Sequence, residues 1–214
     1  MANTTLRSDL RTEIRDNIQE ASGITGALFS DTLLNRTINR ELRSLPTKGV
    51  YLEQIWEMAL DPTVDYTDGI TMPTGTVKLE NVEINNGTSS IPYWTGLNGT
   101  QVYGGALFLP FRPFVAWSIR ARLKKFFTLP TDDVAYLDID DDKAEVLIWG
   151  VTVRLYRMMI GYLRGSQSWD SVTKPGDLSI PVIQAWLRDA KTEYNDLIKQ
   201  YSNAMLPREI SLVD

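Results

Sequence analysis

Leu6, Leu10, Ile14 and Ile18 recur every four residues, with Arg7, Arg11, Glu13 and Arg15 between them. That spacing predicts an amphipathic helix, which Gly23 stops. Ser30-Asp31 then supplies a hydroxyl N-cap and an early acid for a second helix. Its face is Leu33, Leu34, Ile38, Leu42 and Leu45, and Pro46 ends the run. Residues 5–45 therefore predict two amphipathic helices joined by a loop around residues 23–29. Such stripes serve either the core of a helix pair or a seam between copies.

From about residue 50 to 129 the pattern shifts to short β-rich runs, and most of the Gly and Pro lie there. Asp68-Gly69, Asn86-Gly87 and Asn98-Gly99 are Asx-Gly turn signals. Residues 77–85 alternate, with a break near Asn81 that predicts a bulge. Asn86-Gly87 is expected to fold this strand back onto residues 88–94. Asn98-Gly99 is expected to turn the chain into a run over 100–109, with Gly104-Gly105 inside it. Residues 114–127 predict a long strand. Val115, Trp117, Ile119, Ala121 and Leu123 share one face; Ser118, Arg120, Arg122 and Lys124 share the other. The whole segment reads as a β meander.

Helical spacing returns after Asp138-Ile139-Asp140-Asp141-Asp142. Ala144, Leu147, Ile148, Val151, Leu155, Met158, Met159 and Tyr162 follow at intervals of three and four. The acids sit where the helix dipole favours anions. Gly165 closes this helix. Pro181 fits the first turn of a last one, with Ile183, Leu187, Ala190, Tyr194, Leu197, Ile198 and Tyr201 on its apolar face. Residues 202–214 show no clear period, and Pro207 breaks them. The expectation is an α+β fold. Residues 1–49 and 129–201 form a four-helix base from the two N-terminal and two C-terminal helices. Residues 50–128 form an inserted antiparallel β domain, and residues 202–214 an extended C-terminal tail.

Composition narrows the chemistry. The 214 residues carry 22 Lys plus Arg against 27 Asp plus Glu, a net charge of −5. This does not favour unaided nucleic-acid binding, which depends on cations meeting phosphate. There is no Cys and no His. Thiolate nucleophiles, Cys-ligated zinc and the commonest general base are thereby excluded. Charges interrupt every apolar stretch, so no membrane span is expected, and residues 1–5 do not read as a signal peptide. The expected site of synthesis is the cytosol.

No catalytic residue, metal site or cofactor is read. Asp138, Asp140 and Asp142 have the one-three-five spacing of a calcium loop. Lys143 stands where the loop's Gly belongs and Trp149 where its closing Glu belongs, so an ion could not be wrapped. Gly104-Gly105 lacks the Lys-Ser/Thr of a phosphate loop. Arg112, Arg120, Arg122, Lys124 and Lys125 form a basic stripe. Alternate residues of a strand stand about 6.6 Å apart, so the stripe could meet polymer phosphate; the alternatives are a solvated sheet face or a surface that meets the acids of a neighbouring subunit.

The arrangement resembles the head–tail connector adaptor proteins of tailed bacteriophages. The resemblance lies in two places. One is Ser30-Asp31 followed by Leu34-Asn35, Ile38-Asn39 and Leu42. The other is Leu129-Pro130-Thr131-Asp132-Asp133, then Leu137-Asp138-Ile139-Asp140, the long helix, and an amphipathic closing helix. The β segment departs from the smallest such adaptors and is similar to the longer forms in short-tailed phages. The resemblance implies a non-enzymatic virion protein in the neck, made in the bacterial host cytoplasm. It implies a homo-oligomeric ring, usually of about twelve copies, that repeats one heterologous contact. Its partners would be the portal protein and a tail or nozzle protein, with only transient contact with passing DNA and none with membrane. Twelve copies at −5 each would carry about −60, which repels phosphate. Trp149 and Val153 lie beyond the main stripe of their helix, and Leu206, Ile210, Leu212 and Val213 are apolar without a core. These six are the expected interface residues. A competing expectation is a carbohydrate- or host-surface-binding module using Tyr93, Trp94 and Tyr103. A hydrolase working with carboxylates alone is a third.

Overall fold

A computed structural model describes residues 6–22, 29–85, 94–113, 115–130, 137, 139, 141–165 and 180–203. Among them the chain is α+β, with four α-helices and two antiparallel sheets. It divides into two compact units, residues 1–50 with 127–214, and residues 51–126.

The first unit holds α1 (Arg7–Ser22), α2 (Asp31–Ser44), α3 (Asp141–Gly165) and α4 (Ile180–Asn203). Ser30 caps α2 as expected: its hydroxyl accepts from the Leu33 N–H at 3.3 Å. Asp31 in the first turn is held by Arg15 and more distantly by Arg11, at 3.9 Å, so α1 arginines complete the cap electrostatically. Arg7 and Arg11 are themselves buried, Arg7 donating to the Pro130 carbonyl at 3.3 Å. Pro46 does end α2, through a 3-10 turn over Leu45–Lys48 that Gly49 closes at φ +83°. Pro181 lies in the first turn of α4.

Helix α3 packs on α4 and also meets α1 and α2. Leu10, Ile14, Leu34, Ile38, Leu147, Val151, Leu155 and Ile183 are all buried completely. Each contributes about 1.5–3 kcal/mol by leaving water. One expectation needs correcting here. Residues Lys143–Leu163 are long and apolar enough to cross a membrane by length and composition. More than half of that stretch is buried in the chain. The apolarity that passes for a span is what a helix needs when three others cover it.

The second unit carries β1 (Leu52–Leu60), β2 (Ile70–Thr71), β3 (Thr76–Asn85), β4 (Thr95–Gly96), β5 (Gln101–Tyr103), β6 (Ala106–Phe108) and β7 (Trp117–Lys125). It is not a meander. One sheet runs β1-β7-β3-β4 and the other β2-β6-β5. The last strand takes the centre because its apolar face is the most complete: Ile119, Ala121 and Leu123 are fully buried. They pack with Leu60, Ile70, Val82 and Leu107 in one cluster. The alternation outruns the pairing at both ends, since Val115 and Phe126 are exposed. The expected irregularity near Asn81 is present as a register shift between Leu79 and Asn81.

The continuous strand expected over 100–109 is broken. Gly104 and Gly105 both have positive φ, at 59° and 81°, and join β5 to β6 as a tight hairpin. Two successive left-handed residues are what such a turn requires. Asn98-Gly99 does turn the chain, but it leads from β4 in one sheet to β5 in the other. The turn at Asn86-Gly87, the strand over 88–93, Asp138 and Asp140 lie outside the described residues.

Candidate functional site

The polar face of the four-stranded sheet is where the basic stripe falls. On β7, Arg120 is opposite Glu57 of β1 and Glu83 of β3, and Lys124 is opposite Glu53 of β1. Opposite charges across a ladder attract, so these placements are favourable. Arg120 donates to Glu83 through Nε at 2.8 Å and again through its terminal nitrogen. Its guanidinium lies 4.6 Å from the Trp94 ring centroid, a cation–π contact. Lys124 is only 4 % exposed and pairs with Glu80 at 2.5 Å. Its ammonium lies 5.9 Å from the Tyr51 ring.

The stripe is therefore not an open row of cations. Two of its members are neutralised by acids of the next strand, which the alternation within β7 alone does not reveal. Arg122 is exposed and has no ion-pair partner among the described residues. It shares a small hollow with Ile55, Asn81, Glu83 and Arg120. Arg112 is exposed and precedes β7. Lys125 falls on the opposite face from Arg120, Arg122 and Lys124 by strand alternation.

Of the six expected interface residues, Trp149 is half-buried and borders a hollow of about 430 Å³ between α1, α3 and α4. Tyr156 and Trp186 face each other there with ring centroids 6.1 Å apart, and Asn17, Asp189 and Glu193 supply polar lining. Burial pushes the Tyr156 phenol up to about 12, so it stays neutral. Val153, at 5 % exposure, is covered by its own chain. Leu206, Ile210, Leu212 and Val213 lie outside the described residues.

A polar cluster in the helical unit has no counterpart in the sequence reading. Glu41 of α2 is 1 % exposed yet charged. Lys48 donates to it at 2.7 Å, and Tyr194 of α4 and Arg154 of α3 donate as well. Lys48 and Arg154 both also donate to the Ser44 hydroxyl at 3.2 Å. Burial would raise the Glu41 carboxyl, but the hydrogen bonds from Lys48 and Tyr194, the Lys48 charge and the Arg154 hydrogen bond outweigh it. The carboxyl ends below its ordinary value. Tyr194 moves up, through burial first and then through its bond to Glu41. Gly150 of α3 makes the cluster possible: a Cβ there would lie 2.8 Å from Glu41 Cγ.

What these groups can do chemically follows from access. The Glu41 carboxylate is sealed and fully committed to donors, so it ties three helices together and offers no proton to a substrate. Among the described residues no cluster of three acidic side chains is placed to hold a metal. The sheet face and the aromatic hollow are accessible and suited to contacts with another surface. No family model and no curated protein matches the chain.

Proposed function

We propose that this protein is a structural adaptor of a tailed-phage neck, forming a ring that joins the portal vertex to the tail and prolongs the DNA channel. In this reading the four helices form the ring-building base. The β unit is the outward module, and residues 202–214 anchor the chain to a partner. The observation that carries it is the division of the chain. Helices from both ends of the sequence belong to one unit, and a β unit of residues 51–126 interrupts it in sequence. That is the organisation the resemblance implies. The charge-balanced sheet face fits a protein that lets DNA pass without gripping it.

The test is reconstitution with portal protein. Full-length chain should join purified portal in a stoichiometric complex, and a chain lacking residues 203–214 should stay folded and fail to join. Infectious particles completed by the truncated chain would contradict the anchoring role. Tyr103, 81 % exposed on β5, is the one observation favouring the carbohydrate-binding alternative. Trp94 is already engaged by Arg120 and Tyr93 lies outside the described residues. A glycan array with signal lost in Tyr103→Ala would favour that alternative.

A further inference from the structure

Among the described residues, the four-stranded sheet has two unequal open edges. At one end, β1 pairs with β7 on one side only, along its whole length of nine residues. At the other end, β4 pairs with β3 only at Glu83 and Ile84. Among the described residues, 76–81 of β3 are therefore without a strand on that side. Beside them lies a hollow of about 560 Å³, bounded by Val77, Lys78 and Asn81 on one wall and Leu97, Asn98 and Val102 on the other.

A long open edge is a template for another chain, and monomers usually guard it. Here β1 presents Ile55, 59 % exposed, at its middle. The hollow presents Val77 and Val102, 42 % and 47 % exposed. Charge also matches. Glu57 of β1 and Lys78 of β3 are both exposed and have no ion-pair partner among the described residues. By register they lie on the same face of the sheet, Glu57 opposite Arg120 and Lys78 opposite Lys124.

We propose that β1 of one copy inserts beside β3 in the hollow of a second copy, continuing the sheet from subunit to subunit. Main-chain hydrogen bonds supply the attraction, Ile55 is covered with Val77, and Glu57 meets Lys78. The two edges differ, so the contact is head-to-tail and can repeat around a closed ring. This rests on the adaptor reading for its setting and adds to it a seam made by the β unit.

The chain has no Cys, so single-cysteine variants report the contact directly. Within one chain β1 and β3 flank β7, about 9.6 Å apart, too far for a disulfide. Mixed and oxidised, Ile55→Cys and Val77→Cys chains should give a mixed dimer about tenfold above either variant alone and above a Tyr103→Cys control. Equal dimer in one variant alone, or none above the control, overturns the contact. Adding Glu57→Lys to the first chain should lower the yield by up to about fivefold, and Lys78→Glu on the second should restore it. A yield that neither change moves overturns the proposed pairing. On portal-bound protein the outcomes separate the two readings. Rings formed without the 55–77 link overturn the strand contact and leave the adaptor standing. A link in protein that never joins portal keeps the contact and overturns the adaptor. Neither ring nor link overturns both.

Discussion

Glu41 is the residue with most at stake in the helical unit. It is a buried charge whose cost is met only while Lys48, Arg154 and Tyr194 all point at it. Removing the carboxylate leaves two half-buried cations, Lys48 and Arg154, without their acid and Tyr194 without its acceptor. Glu41→Gln should lower stability by about 1–3 kcal/mol in urea denaturation. Gly150→Ala should cost about 1–3 kcal/mol, because the added methyl collides with the Glu41 stem and either α3 or the carboxylate must shift. The pH dependence follows in sign. Glu41 in the folded protein lies below its ordinary 4.5, so its contribution is complete above that pH and is lost as pH falls through the depressed value. Tyr194 lies above its ordinary 10.0, so its contribution is complete below pH 10 and fades as pH rises further. A melting-temperature profile should therefore fall on both flanks, and Glu41→Gln should flatten the acid one. None of this was legible in the sequence. Glu41 sits between Arg40 and Leu42 and is not among the apolar residues that make the stripe of its helix. Only the close approach of α3 at Gly150 turns it into a core group.

At the scale of elements, the strongest periodic signals became real structure. The four-residue stripe of α1, the Ser30 cap and the Pro46 stop of α2, and the alternation of β7 are all present. Each is a local pattern that one element imposes on its own residues. What failed was non-local. That β7 is central and β1 an edge depends on pairing between distant segments. The Gly104-Gly105 hairpin was hidden because its flanks alternate like a single strand. The basic stripe was visible, but the acids that pair with it, Glu80 and Glu83, come from β3, a distant segment. The two faces of β7 make a direct comparison. Ile119→Ala should cost about 2–5 kcal/mol by leaving a cavity in the core of the β unit. Arg122→Ala, on the exposed face, should change stability by no more than about 0.5 kcal/mol. Parallel denaturant titrations of the two variants check this.

For the molecule as a whole, the division into a helical unit and a β unit matters more than any single side chain. The accessible features are surfaces suited to neighbours: an aromatic hollow at Trp149 and Trp186, and a sheet with two open edges. On the adaptor proposal, function comes from repetition of the chain. Purified protein incubated with portal and viewed by electron cryomicroscopy tests that most directly. A closed ring of copies seated on the tail-facing end of the portal, coaxial with its channel, is expected. Portal particles bare at that end, with the protein remaining monomeric in solution, would contradict it.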